Sequence, residues 1–212
     1  MNNSRYAKPV ALLVGLWFAV SVILSAFHVF RNDSGVGVAV AIGAGVPIAL
    51  FALWFAFSES FREFTRSLNP RILTLVQSWR IAGFVFVVLE AYRILPAMFA
   101  LPAGYGDMFI GATAPLAAFK LASSNRRGAF IFWQLLGMID LVTAVSLGVT
   151  SRILNPQGVS MLPMTELPLS VIPTFIVPLL FIFHVISIAN ARRWSDHKVS
   201  AMSAGNPARV VA

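Results

Sequence analysis

Six long apolar runs make up most of this chain, and each is about as long as a helix that crosses a membrane. In lipid, backbone N–H and C=O groups must find partners within the protein, so only helices or closed barrels span a bilayer. The runs lack the polar–apolar alternation of barrel strands. The sequence therefore predicts an all-α polytopic membrane protein with six transmembrane helices in one bundle, at residues 9–30, 36–57, 74–96, 105–122, 129–150 and 169–190.

The composition supports a membrane protein and argues against soluble classes. Hydrophobic residues make up 58% of the chain and charged residues 11%, whereas a soluble domain has about 25% charged residues. A soluble enzyme, a disordered chain and a nucleic-acid-binding protein are therefore not predicted, despite the net charge of +8. The predicted partner is the lipid bilayer. A homo-oligomer or a larger membrane complex stays open, as does the identity of a small-molecule or ion ligand.

The positive charges fall mainly on one side of the apolar runs. With a cytoplasmic N-terminus, two basic residues, Arg31 and Arg152, face outward and twelve of the sixteen face the cytoplasm. Cytoplasmic loops carry an excess of Lys and Arg. The sequence therefore predicts a cell (inner) membrane protein with both termini cytoplasmic, in which residues 1–195 form the transmembrane domain and 196–212 a flexible tail. The twelve residues are Arg5, Lys8, Arg62, Arg66, Arg71, Lys120, Arg126, Arg127, Arg192, Arg193, Lys198 and Arg209.

Two aspartates lie within stripes of small residues on the fourth and fifth runs. Asp107 is in register with Gly104 and Gly111, and Asp140 is in register with Gly137 and Ala144. Small stripes let helices approach closely in lipid, so we expect these two runs to pack together with both carboxylates facing inward. Asp107 falls at the outer edge of its predicted span, which argues against direct contact with Asp140. A buried salt bridge for each and a carboxylate pair lining a cavity are the two interpretations.

The third run also carries ionisable groups inside or beside the predicted membrane. Gln77, Arg80 and Glu90 lie on one broad side, and Arg93 follows Glu90 at i+3. Glu90 and Arg93 either neutralise each other or frame an outward vestibule with Asp107. Arg80 is within reach of Gln134 and His184 in depth, and its expected ion-pair partner is Asp140.

His184 in the sixth run is a candidate proton carrier or a hydrogen-bonded structural histidine. His28 lies too far from it in depth for the two to bind one haem iron, and the chain has no cysteine. No cofactor and no metal site are therefore predicted.

Prolines recur every fifth residue before and within the sixth run, at Pro163, Pro168, Pro173 and Pro178. A proline in a helix removes the hydrogen bond to the carbonyl four residues earlier. The carbonyls of Leu169 and Thr174 should therefore be under-satisfied. In lipid this is tolerated against protein or a water-filled cavity, so a cavity is expected near this segment.

The segment Gly104-Tyr105-Gly106-Asp107 resembles the GxGD signature of intramembrane aspartyl proteases and prepilin peptidases. The resemblance implies two aspartates that share a proton and activate water, with Asp140 as the second. In those families the partner aspartate precedes the signature, whereas Asp140 follows it, and the similarity covers four residues. The chain is therefore not assigned to them.

Ionisable groups inside a membrane are costly, and they mark functional sites by default. The sequence predicts a small permease-like or ion- or proton-coupled transport protein. The alternative is an intramembrane enzyme that acts on a lipophilic substrate through Asp107, Asp140 or Glu90, and the second alternative is an accessory or assembly subunit. Carboxylates clustered around one lipid-accessible pocket would favour the enzyme, and carboxylates spread along a water-accessible track would favour transport. The predicted polar path is lined by Gln77, Arg80, Glu90, Arg93, Asp107, Gln134, Asp140 and His184.

Overall fold

The computed structural model describes residues 4–31 and 37–194, and every regular element in these ranges is helical. The predicted tail at 196–212 lies outside the described residues. A 3-10 segment, Gln77–Gly83, joins α4 to α5, and π-helical segments at Ala117–Leu121 and Ile172–Ile176 follow α6 and precede α8. The α-helices are α1 (Ser4–Ala26), α2 (Val38–Phe57), α3 (Glu59–Ser67), α4 (Pro70–Val76), α5 (Phe84–Ala91), α6 (Ala97–Leu116), α7 (Arg127–Leu154) and α8 (Val177–Arg192).

Five stretches within the described residues are long and apolar enough to cross a membrane. The helix α6 is not among them, because glycine, proline, threonine and aspartate interrupt its apolar sequence. Large apolar side chains cover the exterior, as at Leu12 (75% exposed) and Phe57 (84% exposed), while Arg80 and His184 are buried. An apolar surface around a polar interior indicates a membrane protein. The five stretches are Tyr6–Ala26, Val38–Phe57, Pro70–Ala91, Ser124–Ser151 and Ile172–Arg192.

The third helical stretch begins and ends earlier than the predicted span at 74–96. Asn69 caps its start by accepting a hydrogen bond from the Arg71 N–H (2.9 Å), and Pro70 occupies the first helical position, which suits a residue without an N–H. Its end is a left-handed turn at Arg93 (φ 56°), after which the Ile94 N–H bonds back to Leu89 O (2.8 Å). This early turn lets α6 begin at Ala97 rather than at residue 105.

Aromatic side chains and the short helix α3 close one end of the bundle. The ring of Trp54, near the end of α2, stacks on Phe61 of α3 at 3.9 Å between centroids, and Tyr6 of α1 lies 6.5 Å from Trp54. From α8, the Asn190 side chain donates a hydrogen bond to Leu68 O (3.1 Å). The start of α1, the end of α2 and the end of α8 therefore meet at the same end of the molecule.

Both carbonyls of the proline-rich segment that were expected to be under-satisfied have hydrogen-bond partners. Because Pro178 has no N–H, the Thr174 carbonyl accepts hydrogen bonds from α1 instead, from Trp17 Nε1 (3.2 Å) and Ser21 Oγ (3.5 Å). The Leu169 carbonyl accepts from the Ile172 N–H (3.0 Å). The prediction that these two carbonyls are under-satisfied is therefore wrong, because α1 supplies donors to Thr174 O and is attached to the π-helical segment by them.

We expect Trp17→Phe to lower the free energy of unfolding by about 1 kcal/mol, because the Thr174 carbonyl would lose its shorter side-chain donor. Unfolding by SDS in mixed micelles measures the change. Trp79→Phe is the matched control, since the Trp79 side chain is 69% exposed. Equal losses in the two variants would show that the hydrogen bond to Thr174 contributes nothing specific.

Candidate functional site

The 3-10 segment between α4 and α5 positions the centre of the site. A 3-10 helix has three residues per turn, so side chains at i, i+3 and i+6 lie above one another. Gln77, Arg80 and Gly83 have this spacing, and all three are buried against the neighbouring helices. The sequence predicted an α-helix with these residues on one broad side. The 3-10 helix, which is wound more tightly, aligns them in one narrow row.

Arg80 holds two carboxylates from two other helices. Its Nε–H donates to Asp107 Oδ1 of α6 (2.6 Å), and Nη2 donates to Asp140 Oδ2 of α7. These two nitrogens form one edge of the guanidinium, so the carboxylates lie side by side. The predicted Arg80–Asp140 ion pair is confirmed. The expected separation of Asp107 and Asp140 in depth is wrong, because α6 begins at Ala97 and Asp107 lies well inside it.

A chain of hydrogen bonds extends from Arg80 to the start of α4, and its direction is defined throughout. The Thr74 hydroxyl donates to Pro70 O (2.8 Å), so it must accept from Gln134 Nε2 (2.9 Å). The other amide atom, Gln134 Oε1, therefore accepts from His184 Nδ1–H (2.5 Å). The remaining nitrogen, His184 Nε2, faces Arg80 Nη1 at 3.4 Å and accepts from it. His184 is thus a neutral imidazole held between an amide and a guanidinium.

Glycines provide the space for these polar side chains. A Cβ at Gly137 would lie 2.5 Å from His184 Cε1, and a Cβ at Gly106 would collide with the Asp140 carboxylate. The Gly137 carbonyl also accepts a hydrogen bond from Arg80 Nη1 (3.2 Å). The bulk of any other side chain at these positions would displace the groups that hold the cluster together.

The stripe of small residues on α6 has a second neighbour besides the expected α7. Gly104 faces Val87 of α5 and the Gly83 carbonyl, and Gly111 faces the backbone of Ile81. The glycines of the stripe therefore pack against the third helical stretch. The predicted contact between α6 and α7 is also present, as in the packing of Ala114 of the stripe with Trp133 and in the hydrogen bond from Trp133 Nε1 to Thr113 Oγ1 (3.0 Å).

The cluster carries an uneven formal charge. Arg80 contributes one formal positive charge, Asp107 and Asp140 each contribute one negative charge in their ionised forms, and His184 is neutral by its hydrogen bonds. One negative charge is left without a partner among these four groups. Both carboxylates are mostly buried, each with 17% of its side chain exposed. Because an unpaired buried charge is costly, this arrangement favours the uptake of one proton or one cation.

A cavity opens beside Asp107 and reaches the proline-rich segment. Apolar side chains make most of its wall, including Phe86, Phe99, Leu141 and Met164, and Asp107 is its one ionisable lining residue within the described part of the chain. The space open to the centres of water-sized molecules is about 70 Å³. Ile172, Pro173 and Val177 also line it, so the cavity expected near the prolines is present.

Glu90 and Arg93 lie apart from this cluster, in a second cavity. They line it together with Ser151, Asn155 and Gly158, whereas Asp107 lines the cavity described above. Between the residues that the structure describes, no ion pair joins Glu90 to Arg93. The structure therefore brings six of the eight predicted path residues into one interior region and places these two elsewhere.

Two features of the interior region were not predicted from the sequence. Thr74, which sets the direction of the hydrogen-bond chain, precedes Gln77 by three residues, and this spacing was a usable signal. The second feature is the pairing of Gln77, which donates to Leu180 O (3.1 Å) on α8, while its Oε1 is buried without a hydrogen-bond partner.

Among the described residues, no three His, Asp or Glu side chains lie close enough together to hold a metal ion.

Residues 36–192 match a family model described as Domain of unknown function (DUF8737). The chain belongs to this family. The matched region extends from α2 to the end of α8 and contains Arg80, both aspartates and the whole hydrogen-bond chain. No curated protein and no solved structure matches the chain. The DUF8737 domain thus includes the complete candidate site, while α1 precedes it.

Proposed function

We propose that this DUF8737 protein is a small, permease-like transport protein coupled to a proton or another cation, with Arg80, Asp107 and Asp140 as the coupling site. The observation that carries the proposal is the pairing of one guanidinium with two carboxylates beside an interior cavity. Binding of one cation neutralises the cluster, and its release restores the charge. Such a group is expensive to keep in a membrane protein without a function.

The coupling follows from the hydrogen bonds of Arg80. A carboxylate that takes up a proton loses its charge and holds the guanidinium less strongly. Arg80 lies on the 3-10 segment, and such segments within helices often mark hinges. A change at Asp107 or Asp140 would therefore shift the third helical stretch against α6 and α7. We assign the proton to the carboxylates rather than to His184. The imidazole nitrogen that carries no hydrogen, His184 Nε2, already accepts a hydrogen bond from Arg80.

The proposed membrane arrangement has six spans, with α6 as the span shielded from lipid by its neighbours and both termini cytoplasmic. The distribution of basic residues supports this orientation. They are concentrated at the end of the molecule where α1 begins and α8 ends. Arg62 and Arg66 lie on α3 at this end, and Arg192 ends α8. Because cytoplasmic loops carry an excess of Lys and Arg, this end faces the cytoplasm in the proposed arrangement, with the protein in the cell (inner) membrane.

An intramembrane enzyme is the second candidate, favoured by the adjacent carboxylates of Asp107 and Asp140 beside an apolar cavity. Acid–base catalysis needs one carboxyl group that gives up a proton and one that accepts it. Here one guanidinium binds both groups, and both side chains are equally exposed, so the hydrogen bonds do not distinguish an acid from a base. The transport proposal therefore agrees better with the hydrogen bonds of the cluster.

Proton flux into proteoliposomes tests the proposal. A pH-sensitive dye is trapped inside, and a potassium diffusion potential drives protons inward. We expect the wild-type protein to acidify the lumen, and Asp140→Asn to reduce the rate to that of protein-free vesicles, because the excess charge is gone. The control Glu166→Gln removes a carboxylate from an exposed pair with Arg31 and should leave the rate unchanged. A wild-type rate in Asp140→Asn would contradict the proposed coupling site.

A further inference from the structure

We propose that the cavity beside Asp107 binds a small organic cation, an amine with one aromatic or alkyl group, and that its ammonium lies toward the Asp107 carboxylate. The inference rests on the proposed function, because it names the substrate class of the same site. Three properties of the cavity carry it: the sign of its charge, the chemistry of its wall and its size.

The charge of the cluster selects a cation. Asp107 is the ionisable group that faces the cavity, and the guanidinium behind it is already bound to Asp107 and Asp140. An anionic ligand would meet a carboxylate and would have no access to the guanidinium. A cation at this position balances the one negative charge that Arg80 leaves uncompensated.

The wall of the cavity selects an organic cation over a hydrated metal ion. Most lining side chains are apolar, with Phe86 and Phe99 in edge-to-face contact at 5.4 Å between centroids. A divalent cation such as Ca²⁺ takes six to eight oxygen ligands, which this wall does not offer. A ligand with an apolar body and one ammonium fits such a pocket, since aromatic faces also attract cations. Ser160 and Thr165 add hydroxyl groups to the lining.

The size of the cavity limits the ligand to about one aromatic ring. The space open to the centres of water-sized molecules is about 70 Å³. At about 10–15 Å³ of such space for each water, the cavity holds about five to seven water molecules, so it admits a ligand of about that many non-hydrogen atoms. Benzylammonium is therefore a suitable probe, and benzyl alcohol is its neutral counterpart of nearly the same shape.

Isothermal titration calorimetry of the purified full-length protein in detergent micelles tests the inference. We expect benzylammonium to bind to the wild-type protein, and Asp107→Asn to weaken its binding about ten-fold or more, which corresponds to about 1.4 kcal/mol. Benzyl alcohol should bind equally to both proteins, which also shows that the variant retains the cavity. Equal binding of benzylammonium to the two proteins, or none to the wild type, would overturn the inference.

A second variant locates the binding in this cavity. A Cβ at Gly148 of α7 would make ordinary contacts with Met161 (3.4 Å) and Phe99 (3.6 Å), which both line the cavity, so Gly148→Leu should fill it without moving the backbone. We expect Gly148→Leu to abolish the binding of both probes. Gly128→Leu, at the start of the same helix, is the matched control because nothing lies within 4 Å of its Cβ position. Undiminished binding to Gly148→Leu would overturn the inference.

The failure of this inference can be told apart from the failure of the proposed function. Proton flux that depends on Asp140, together with no benzylammonium binding, would overturn the substrate class and leave the coupling site in place. Benzylammonium binding that depends on Asp107, without any proton flux, would support the binding site and overturn coupling to protons.

Discussion

Arg80→Gln should lower the free energy of unfolding by about 3–5 kcal/mol, because removing one partner of a buried ion pair leaves uncompensated charge. Here the loss affects two carboxylates at once, since Asp107 and Asp140 share the same guanidinium. The variant also removes the donor to His184 and to the Gly137 carbonyl. Unfolding by SDS in mixed micelles, followed by circular dichroism, measures the difference from the wild-type protein.

Two further variants show whether charge causes this loss. Arg31→Gln breaks an exposed ion pair with Glu166, and such pairs contribute about 0–1 kcal/mol. The triple variant Arg80→Gln with Asp107→Asn and Asp140→Asn removes all three charges of the cluster. We expect it to recover much of the stability lost in Arg80→Gln. A triple variant as unstable as Arg80→Gln would show that lost packing, and not unpaired charge, is the cause.

The second large effect is expected for Gly111→Ala on α6. The added Cβ would collide with the Ile81 amide nitrogen and lie 2.9 Å from the Arg80 carbonyl carbon. Both atoms belong to the backbone of the 3-10 segment, so no side-chain rotation can relieve the contact. The two helices must separate, which also pulls Asp107 away from Arg80. We expect a loss of about 3 kcal/mol in the free energy of unfolding, at the upper end for overpacked interiors.

Gly45→Ala in α2 provides the matched control for Gly111→Ala. Nothing lies within 4 Å of a Cβ at Gly45, and alanine favours helix by about 1 kcal/mol over glycine. We therefore expect this variant to be as stable as the wild-type protein or slightly more stable. If Gly111→Ala were equally stable, the close approach of α6 to the 3-10 segment could not be what positions Asp107.

The features that the sequence predicted correctly follow from the chemistry of lipid. Long apolar runs must be helical there, so the all-helical architecture was predictable from their length. An arginine and an aspartate at similar depth in a membrane are each costly alone and are expected to form an ion pair. This expectation predicted the Arg80–Asp140 pair. The proline at 178 removes a known donor, so the loss of that partner at the Thr174 carbonyl was predictable as well, whereas its replacement by donors from α1 was not.

The predictions that failed depended on where helices begin and on their exact pitch. Asp107 was expected at the outer edge of a span, because the glycines and prolines before it lower the hydropathy of that stretch. The left-handed turn at Arg93 instead starts α6 at Ala97 and moves Asp107 into the helix interior. Glu90, one turn before Arg93, then lies in the second cavity and away from Asp107.

Hydropathy and the position of single charges were therefore sufficient for the helical class and for one ion pair. They were not sufficient for the site as a whole, because its geometry depends on contacts between residues far apart in the sequence. The 3-10 pitch that stacks Gln77 on Arg80, the shared use of one guanidinium by two aspartates, and the direction of the hydrogen bonds from Thr74 to His184 all arise from such contacts. Packing of α6 and α7 against the third helical stretch determines each of them, and no local pattern of residues encodes that packing.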